Sequence, residues 1–565
     1  MAERVLDAEL TTAHVAPPRV NIASLLADCA AELPERDAVL VARGKGRGLR
    51  LAGLTYAQLE SRSNRVARGL RERGLEVGDR VCLFVRPGVD LIALTFALLK
   101  AGAVPVLIDP GMGRGPLLSC VERMRPRAFV GIPAAHLVRR LFPRAFRSVE
   151  LQVTVGRRLG WGGATLAELL ADRDDSPFLE DTAADQEAAI LFTSGSTGPA
   201  KGVTYTHGNF AAQVEALREM YAFGDDEVDA ACFPLFALFS PGLRMTCVVP
   251  ELDPSRPASC DPRRIVDCIQ QVGATSSFGS PAIWRRVIPW CVERGLTLPS
   301  LRRVLVAGAP VDPALVEGFH RVLTDDADVH TPYGATESLP VATISGREIL
   351  AARDEDPQAV RGTCVGLPAP GVEVEVLDVR DEPLPRWSDG LRAAPGALGE
   401  LCVRGPVVTR EYRFQEEATA AAKIESAAGL WHRMGDLGRI DARGRIWFCG
   451  RKSHRLRTRQ GLVPTVPTEL HYNGAPGVHR TALVGVGPVG EERPVLVVEA
   501  ERGHHPRGDE QRDRFVEALR AHVRGVEGLA PVEEFLFHPG FPVDVRHNAK
   551  IHRGELKCWA EAELT

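Results

Sequence analysis

The chain has 565 residues, 45% of them hydrophobic, enough to bury several cores, and ordinary domain sizes imply more than one folded unit. Its 69 basic and 73 acidic residues nearly cancel to a formal charge of −4, which argues against nucleic acid or an anionic membrane as partner and leaves a small molecule. Twelve cysteines without a CxxC pair read as reduced, mostly buried thiols, the pattern of a cytoplasmic protein.

Residues 1–18, MAERVLDAELTTAHVAPP, carry acidic side chains and no apolar core, so they fit neither a signal peptide nor a membrane anchor and are expected to form a flexible arm. A helix is predicted near 22–31 and another near 56–73, followed by the strand VCLFVR, the helical run DLIALTFALLKAG and the strand VPVLID. The most apolar stretch, 91–109, is broken by Lys100, Gly102 and Pro105, so it reads as helix, turn and buried strand and not as a transmembrane segment. Next come short apolar runs ending in Gly, Ser or Pro: PRAFVGI, VELQVTVG, AAILFTSG, VDAACFPLF, ATSSFGSP and RRVLVAGAP. Amphipathic segments at 209–220 and 313–323 separate them. This alternation predicts an α/β fold with functional loops at the carboxyl ends of the strands. From Gly371 the texture turns to VEVEVLDV, GELCVRG and GRIWFCGR, a smaller β-rich subdomain. The reading is thus a large N-terminal domain over 19–450 and a small α+β C-terminal domain over 451–565.

The sharpest local signal follows the strand AAILF: Thr193, Ser194, Gly195, Ser196, Thr197, Gly198, Pro199, Ala200, Lys201 and Gly202. Its glycines let backbone N–H groups close on phosphate oxygens, and Lys201 adds a cation. It is not a Walker A loop, because Lys201 follows Ala200 and precedes Gly202. Taken alone, such a stretch is more often a linker.

The loop resembles the phosphate-binding signature of the adenylate-forming (ANL) superfamily of acyl-CoA synthetases, luciferases and nonribosomal-peptide adenylation domains, and four further segments match in order. In VLVAGAP, Gly308, Ala309 and Pro310 resemble the loop against adenine. Tyr333, Gly334, Ala335, Thr336 and Glu337 resemble the motif whose Tyr stacks on adenine, whose Thr meets phosphate and whose Glu holds Mg²⁺. Trp431 to Asp436, with Gly450 and Arg451 beyond, resembles the motif whose Asp accepts from the ribose hydroxyls. Asn548-Ala549-Lys550 resembles the segment whose Lys reaches the substrate carboxylate and the α-phosphate. The resemblance implies ATP and Mg²⁺ as cofactors, Lys550, Lys201, Thr197 and Glu337 as catalytic residues, and Glu337 with Thr197 at the metal.

Several positions depart from the wider pattern. Ala237 stands where a His is common after the Cys232–Phe236 run, Ser453 and His454 replace an acidic hinge residue, Met434 replaces Thr, and Ala549 replaces Gly. With GRRLGWGGATL, FPLFALFSPGL, YGATESLPVA and FPVDVRHNAKI, these departures resemble the β-lactone synthetases of bacterial long-chain olefin biosynthesis. That branch implies adenylation of a long-chain 2-alkyl-3-hydroxy acid, then ring closure by the substrate's own hydroxyl, without CoA. The proton acceptor is left between His432 and His454. An acyl pocket is expected at Phe236, Ala237, Phe239, Phe278, Gly279 and Ser280, although ordinary core packing explains those residues equally well. The pathway resemblance implies thiolase-like and reductase partners. The competing readings are a long-chain acyl-CoA or acyl-carrier ligase and a non-catalytic nucleotide-binding scaffold.

Overall fold

The computed structural model describes residues 20–171, 173–192, 200–355, 360–543 and 551–565. The 1–18 arm lies outside the described residues, as do Thr193, Ser194, Gly195, Ser196, Thr197, Gly198 and Lys550.

Two seven-stranded sheets form the larger part of the chain. One orders Asp328–His330, Arg303–Val306, Ser276–Gly279, Val228–Ala230, Thr246–Val249, Asp37–Arg43 and Arg50–Thr55. The other orders Ala164–Thr165, Leu151–Thr154, Ala128–Gly131, Arg80–Phe84, Val104–Leu107, Glu187–Phe192 and Gly202–Thr206. Each is parallel except for its last pair, which is antiparallel. The short apolar runs become strands because both faces of a helix-covered parallel sheet are buried, so no polar alternation is needed.

The helix Val89–Lys100 joins these sheets. Every residue from Leu91 to Lys100 is buried, which is what an all-round apolar helix requires. Leu94, Ala97 and Leu98 pack in one core with Val81 and Val130 of the second sheet, while Ile92, Ala93 and Phe96 pack in another with Val39 and Val249 of the first. Lys100 ends the helix inside the protein, its ammonium 2.5 Å from Glu60 and 2.5 Å from the Asn64 side-chain oxygen. No described helix is long and apolar enough to cross a membrane.

The third sheet is antiparallel and eight-stranded, built from Tyr333–Ala335, Ser338–Thr343, Thr363–Pro368, Ile446–Arg451, Gly429–Ile440, Gly399–Arg404 and Glu373–Leu377, with Lys423–Ser426 against Gly429–Ile440. The helix His207–Tyr221 holds its first hairpin in place: Gln213 donates to the Leu339 carbonyl at 2.7 Å, and Tyr205, just before the helix, donates to the Thr336 carbonyl at 2.5 Å. That helix begins two residues before the apolar pattern does, because Thr206 and Asn209 form a reciprocal capping box. Beyond it, Val478–Val486, Arg493–Ala500 and Glu534–Phe537 form a three-stranded sheet whose two hydrophobic clusters draw only on residues 456–564.

Removing one member of a buried ion pair strands the other charge, at a cost of about 3–5 kcal/mol. Glu60→Ala should therefore lower the midpoint of urea unfolding clearly, and an unchanged midpoint would show that Lys100 is satisfied without its carboxylate.

Candidate active site

Three distant segments meet at one carboxylate. In the antiparallel ladder Asp436 lies directly opposite Arg451, and the positive φ of Gly435 (65°) turns the strand just before it. The Tyr333 hydroxyl donates to Asp436 Oδ2 at 2.6 Å, and Arg451 Nη1 lies 2.9 Å from Oδ1. Asp436 is only 3% exposed. Burial pushes its carboxyl above the usual carboxylate range, while the Arg451 charge and the Tyr333 hydrogen bond pull the other way. Its Oδ1 meets the Arg451 guanidinium at 2.9 Å, and a carboxylate oxygen with one such partner keeps a second lone pair. A buried carboxylate oxygen with spare acceptor capacity suits a ligand bearing hydroxyl donors.

A second cluster surrounds Glu337. Tyr412 donates to Glu337 Oε1 at 2.6 Å, and the Thr409 amide and hydroxyl both donate to the Glu337 carbonyl at 2.9 Å. The buried Lys423 ammonium donates to the Thr409 carbonyl; burial pushes its pKa down to about 7, opposed by the Glu337 charge. Lys201 Nζ lies 4.6 Å from the centre of the Tyr412 ring, within cation–π range. Opposite Lys423 in the ladder is His432, 2% exposed. Burial, then the Lys423 charge, hold its imidazole well below its ordinary pKa, so it is neutral at neutral pH.

A cavity of about 1440 Å³ opens over these groups. Lys201, Thr336, Glu337, Tyr412, His432 and Arg451 line its polar end. Gly308, Gly334 and Ala335 also face it, whereas Ala309 and Pro310 lie outside the lining, and Tyr333 and Asp436 stand behind it. Among the expected acyl-pocket residues, Phe236, Phe239, Phe278 and Ser280 line the wall, with the Phe236 and Phe278 rings stacked 4.5 Å apart. Ala237 and Gly279 do not. Ala237 is buried in a core with Ala23 and Leu26, and a Cβ on Gly279 would come within 2.8 Å of the Trp284 indole nitrogen. Among the described residues no group of three or more His, Cys, Asp or Glu side chains is placed to hold a metal ion. Glu337 thus offers a single carboxylate, which suits Mg²⁺ when substrate phosphates supply most of the ligands.

Sequence reasoning missed Tyr412, Thr409 and Lys423, which lie in polar or mixed runs without a recognisable motif. The one available hint was Lys423, a lysine opening a strand that pairs with the Trp431–Asp436 segment. It also missed the hinge contacts: Lys452 Nζ meets Glu400 at 3.0 Å beside the buried Arg433–Glu400 pair, and Arg455 grips both oxygens of Asp381 at 2.7 and 2.6 Å.

The model of the AMP-binding enzyme family matches residues 26–413. The chain belongs to this family, and its full-length relatives narrow the group. It is 46% identical to the olefin beta-lactone synthetase of Stenotrophomonas maltophilia over 96% of this chain and 98% of that protein. It is 44% identical to the olefin beta-lactone synthetase of Xanthomonas campestris pv. campestris, over 96% and 97%. The fold is shared with ATP-bound MatB from Rhodopseudomonas palustris, at a TM-score of 0.76 and 23% identity over 96% of this chain and 100% of that one.

Because Asp436 anchors both Tyr333 and Arg451, Asp436→Ala should raise the dissociation constant for ATP by at least about tenfold, the worth of one hydrogen bond to a charged group. Wild-type affinity in a titration calorimeter would remove Asp436 from the nucleotide site.

Proposed function

We propose that the chain activates a long-chain 2-alkyl-3-hydroxy carboxylic acid as its acyl-AMP and closes it to a β-lactone, releasing pyrophosphate and AMP. The observation that carries this reading is the 46% identity, across nearly the whole of both chains, to an olefin beta-lactone synthetase.

In the first step a substrate carboxylate oxygen attacks the α-phosphorus of ATP, and the bond to the β-phosphate oxygen breaks in line. Little covalent chemistry falls to the protein, so positioning and charge neutralisation dominate. Asp436, just behind the cavity wall, would receive the ribose hydroxyls, with Arg451 opposing its neutralisation and Tyr333 fixing its orientation, and Gly308 alone of the expected adenine-loop residues lines the cavity. Lys201, which lines the cavity, would neutralise the phosphates, the role the family motif gives also to Thr193, Ser194, Gly195, Ser196, Thr197 and Gly198, and Thr336 would add a hydroxyl. Glu337, oriented by the Tyr412 hydroxyl, would hold Mg²⁺ with Thr197, and that ion supplies charge neutralisation at the phosphates. Lys550, of the proposed C-terminal domain over 451–565, would neutralise charge on the carboxylate and the α-phosphate, the role its motif carries in the family.

In the second step the 3-hydroxyl oxygen attacks the acyl carbon, the four-membered ring closes, and the acyl–oxygen bond to AMP breaks. The nucleophile is already tethered, so only orientation and a proton acceptor remain to be supplied. His432 fits that acceptor better than His454, because it lines the cavity. Ala237 presents no imidazole to the cavity and no thiol is needed. Neighbouring enzymes of the thiolase and reductase classes would supply the hydroxy acid in the same cytoplasmic compartment.

The test labels the substrate carboxylate with ¹⁸O. Activation as acyl-AMP leaves one labelled oxygen on the released AMP, read by mass spectrometry. Unlabelled AMP alongside lactone would mean that the hydroxyl and not the carboxylate is activated, and would overturn the proposed route.

A further inference from the structure

The cavity is not confined to one side of the second sheet. Successive side chains of a strand point to opposite faces, so a void that touches neighbouring residues at a strand end passes round that end. This happens at three adjacent strands. Leu83 and Phe84, Leu107 and Ile108, and Leu191 and Phe192 all line the cavity. Leu83 and Leu107 pack with Val81 and Leu98, whereas Phe84, Ile108 and Phe192 pack with Phe129 and Phe146 in a separate core.

The void therefore has two apolar arms. One runs between the helix His207–Tyr221 and the Phe236–Phe278 stack, with Val214, Leu217 and Leu305 on its wall. The other turns across the strand ends to the helix Pro133–Leu141, where Phe129, Phe146 and Ala135 line it. Lys201 and Glu337 line the same cavity as both arms, and Ala200, next to Lys201, packs against the second core.

Resting on the reading above, we propose that the two arms each take one alkyl chain of a doubly branched acid, and that Leu217 and Ala135 set the length accepted in each. Carbons 2 and 3 are bonded neighbours, so chains leaving them diverge from a point next to the reacting carboxylate. That is the geometry of two arms meeting at the polar end. A carrier thiol suits the second arm poorly, because its amides would be buried against Phe84, Ile108, Phe129 and Phe146 at about 1–3 kcal/mol for each group left unpaired.

The experiment compares two isomeric hydroxy acids, each with one decyl and one ethyl chain, the long chain on carbon 2 in one and on carbon 3 in the other. The readout is the ratio of kcat/KM for the two isomers, with lactone measured as product. Ala135→Trp should move that ratio at least about tenfold in one direction and Leu217→Trp by as much in the opposite direction, because each blocks only one arm. If both variants move it the same way, or neither moves it, the two-arm assignment is wrong. Should either fail to fold by circular dichroism, Ala135→Leu and Leu217→Phe are read by the same ratio. A wild-type protein that makes no lactone from either isomer fails the proposed function instead, which keeps the two outcomes apart.

Discussion

The site depends on keeping one buried carboxylate charged. Asp436 is shut away from water, a setting that alone would drive it to the neutral acid. The cation placed opposite it by strand register, Arg451, and the hydroxyl brought from 103 residues away, Tyr333, oppose that drift. Register therefore has a chemical consequence: a one-residue slip between Gly429–Ile440 and Ile446–Arg451 would turn Asp436 to the other face of the sheet and leave a guanidinium without its partner. The antiparallel sheet, the hairpin at Tyr333 and the helix that ties that hairpin down all converge on this pair.

The same logic extends along the strand. His432, four residues before Asp436, is buried beside the Lys423 charge and so stays neutral, while Glu337 is oriented by Tyr412 and backed by Thr409. Most of the cavity wall is apolar, although Thr95, Asp109 and Gln213 also line it away from the cluster described above. That wall can bury the alkyl chains of a long-chain hydroxy acid while its carboxylate and hydroxyl meet the polar groups.

The fold class is legible in the sequence, and so are several residues that the structure brings together. The α/β class followed from apolar runs ending in Gly, Ser or Pro, because strands buried on both faces carry no alternation to obscure them. Tyr333, Glu337, Asp436 and Arg451 stood out since each sits in a compact motif. Tyr412, Thr409 and Lys423 did not. Their role comes from cross-strand pairing and a returning loop, which fix neighbours far apart in the chain and leave no local spacing to read. Ala237 shows the opposite limit: its place in the sequence suggested the pocket wall, but strand and helix packing turn it into the core. Both arms of the cavity were invisible for a related reason, since a void round three strand ends is a property of sheet order and not of any one segment.

The most direct test of the account is the product formed from Mg·ATP and a long-chain 2-alkyl-3-hydroxy acid, followed by NMR with and without CoA. A β-lactone and AMP are expected in equal amounts whether or not CoA is present. AMP release only with CoA, yielding a thioester and no lactone, would contradict it.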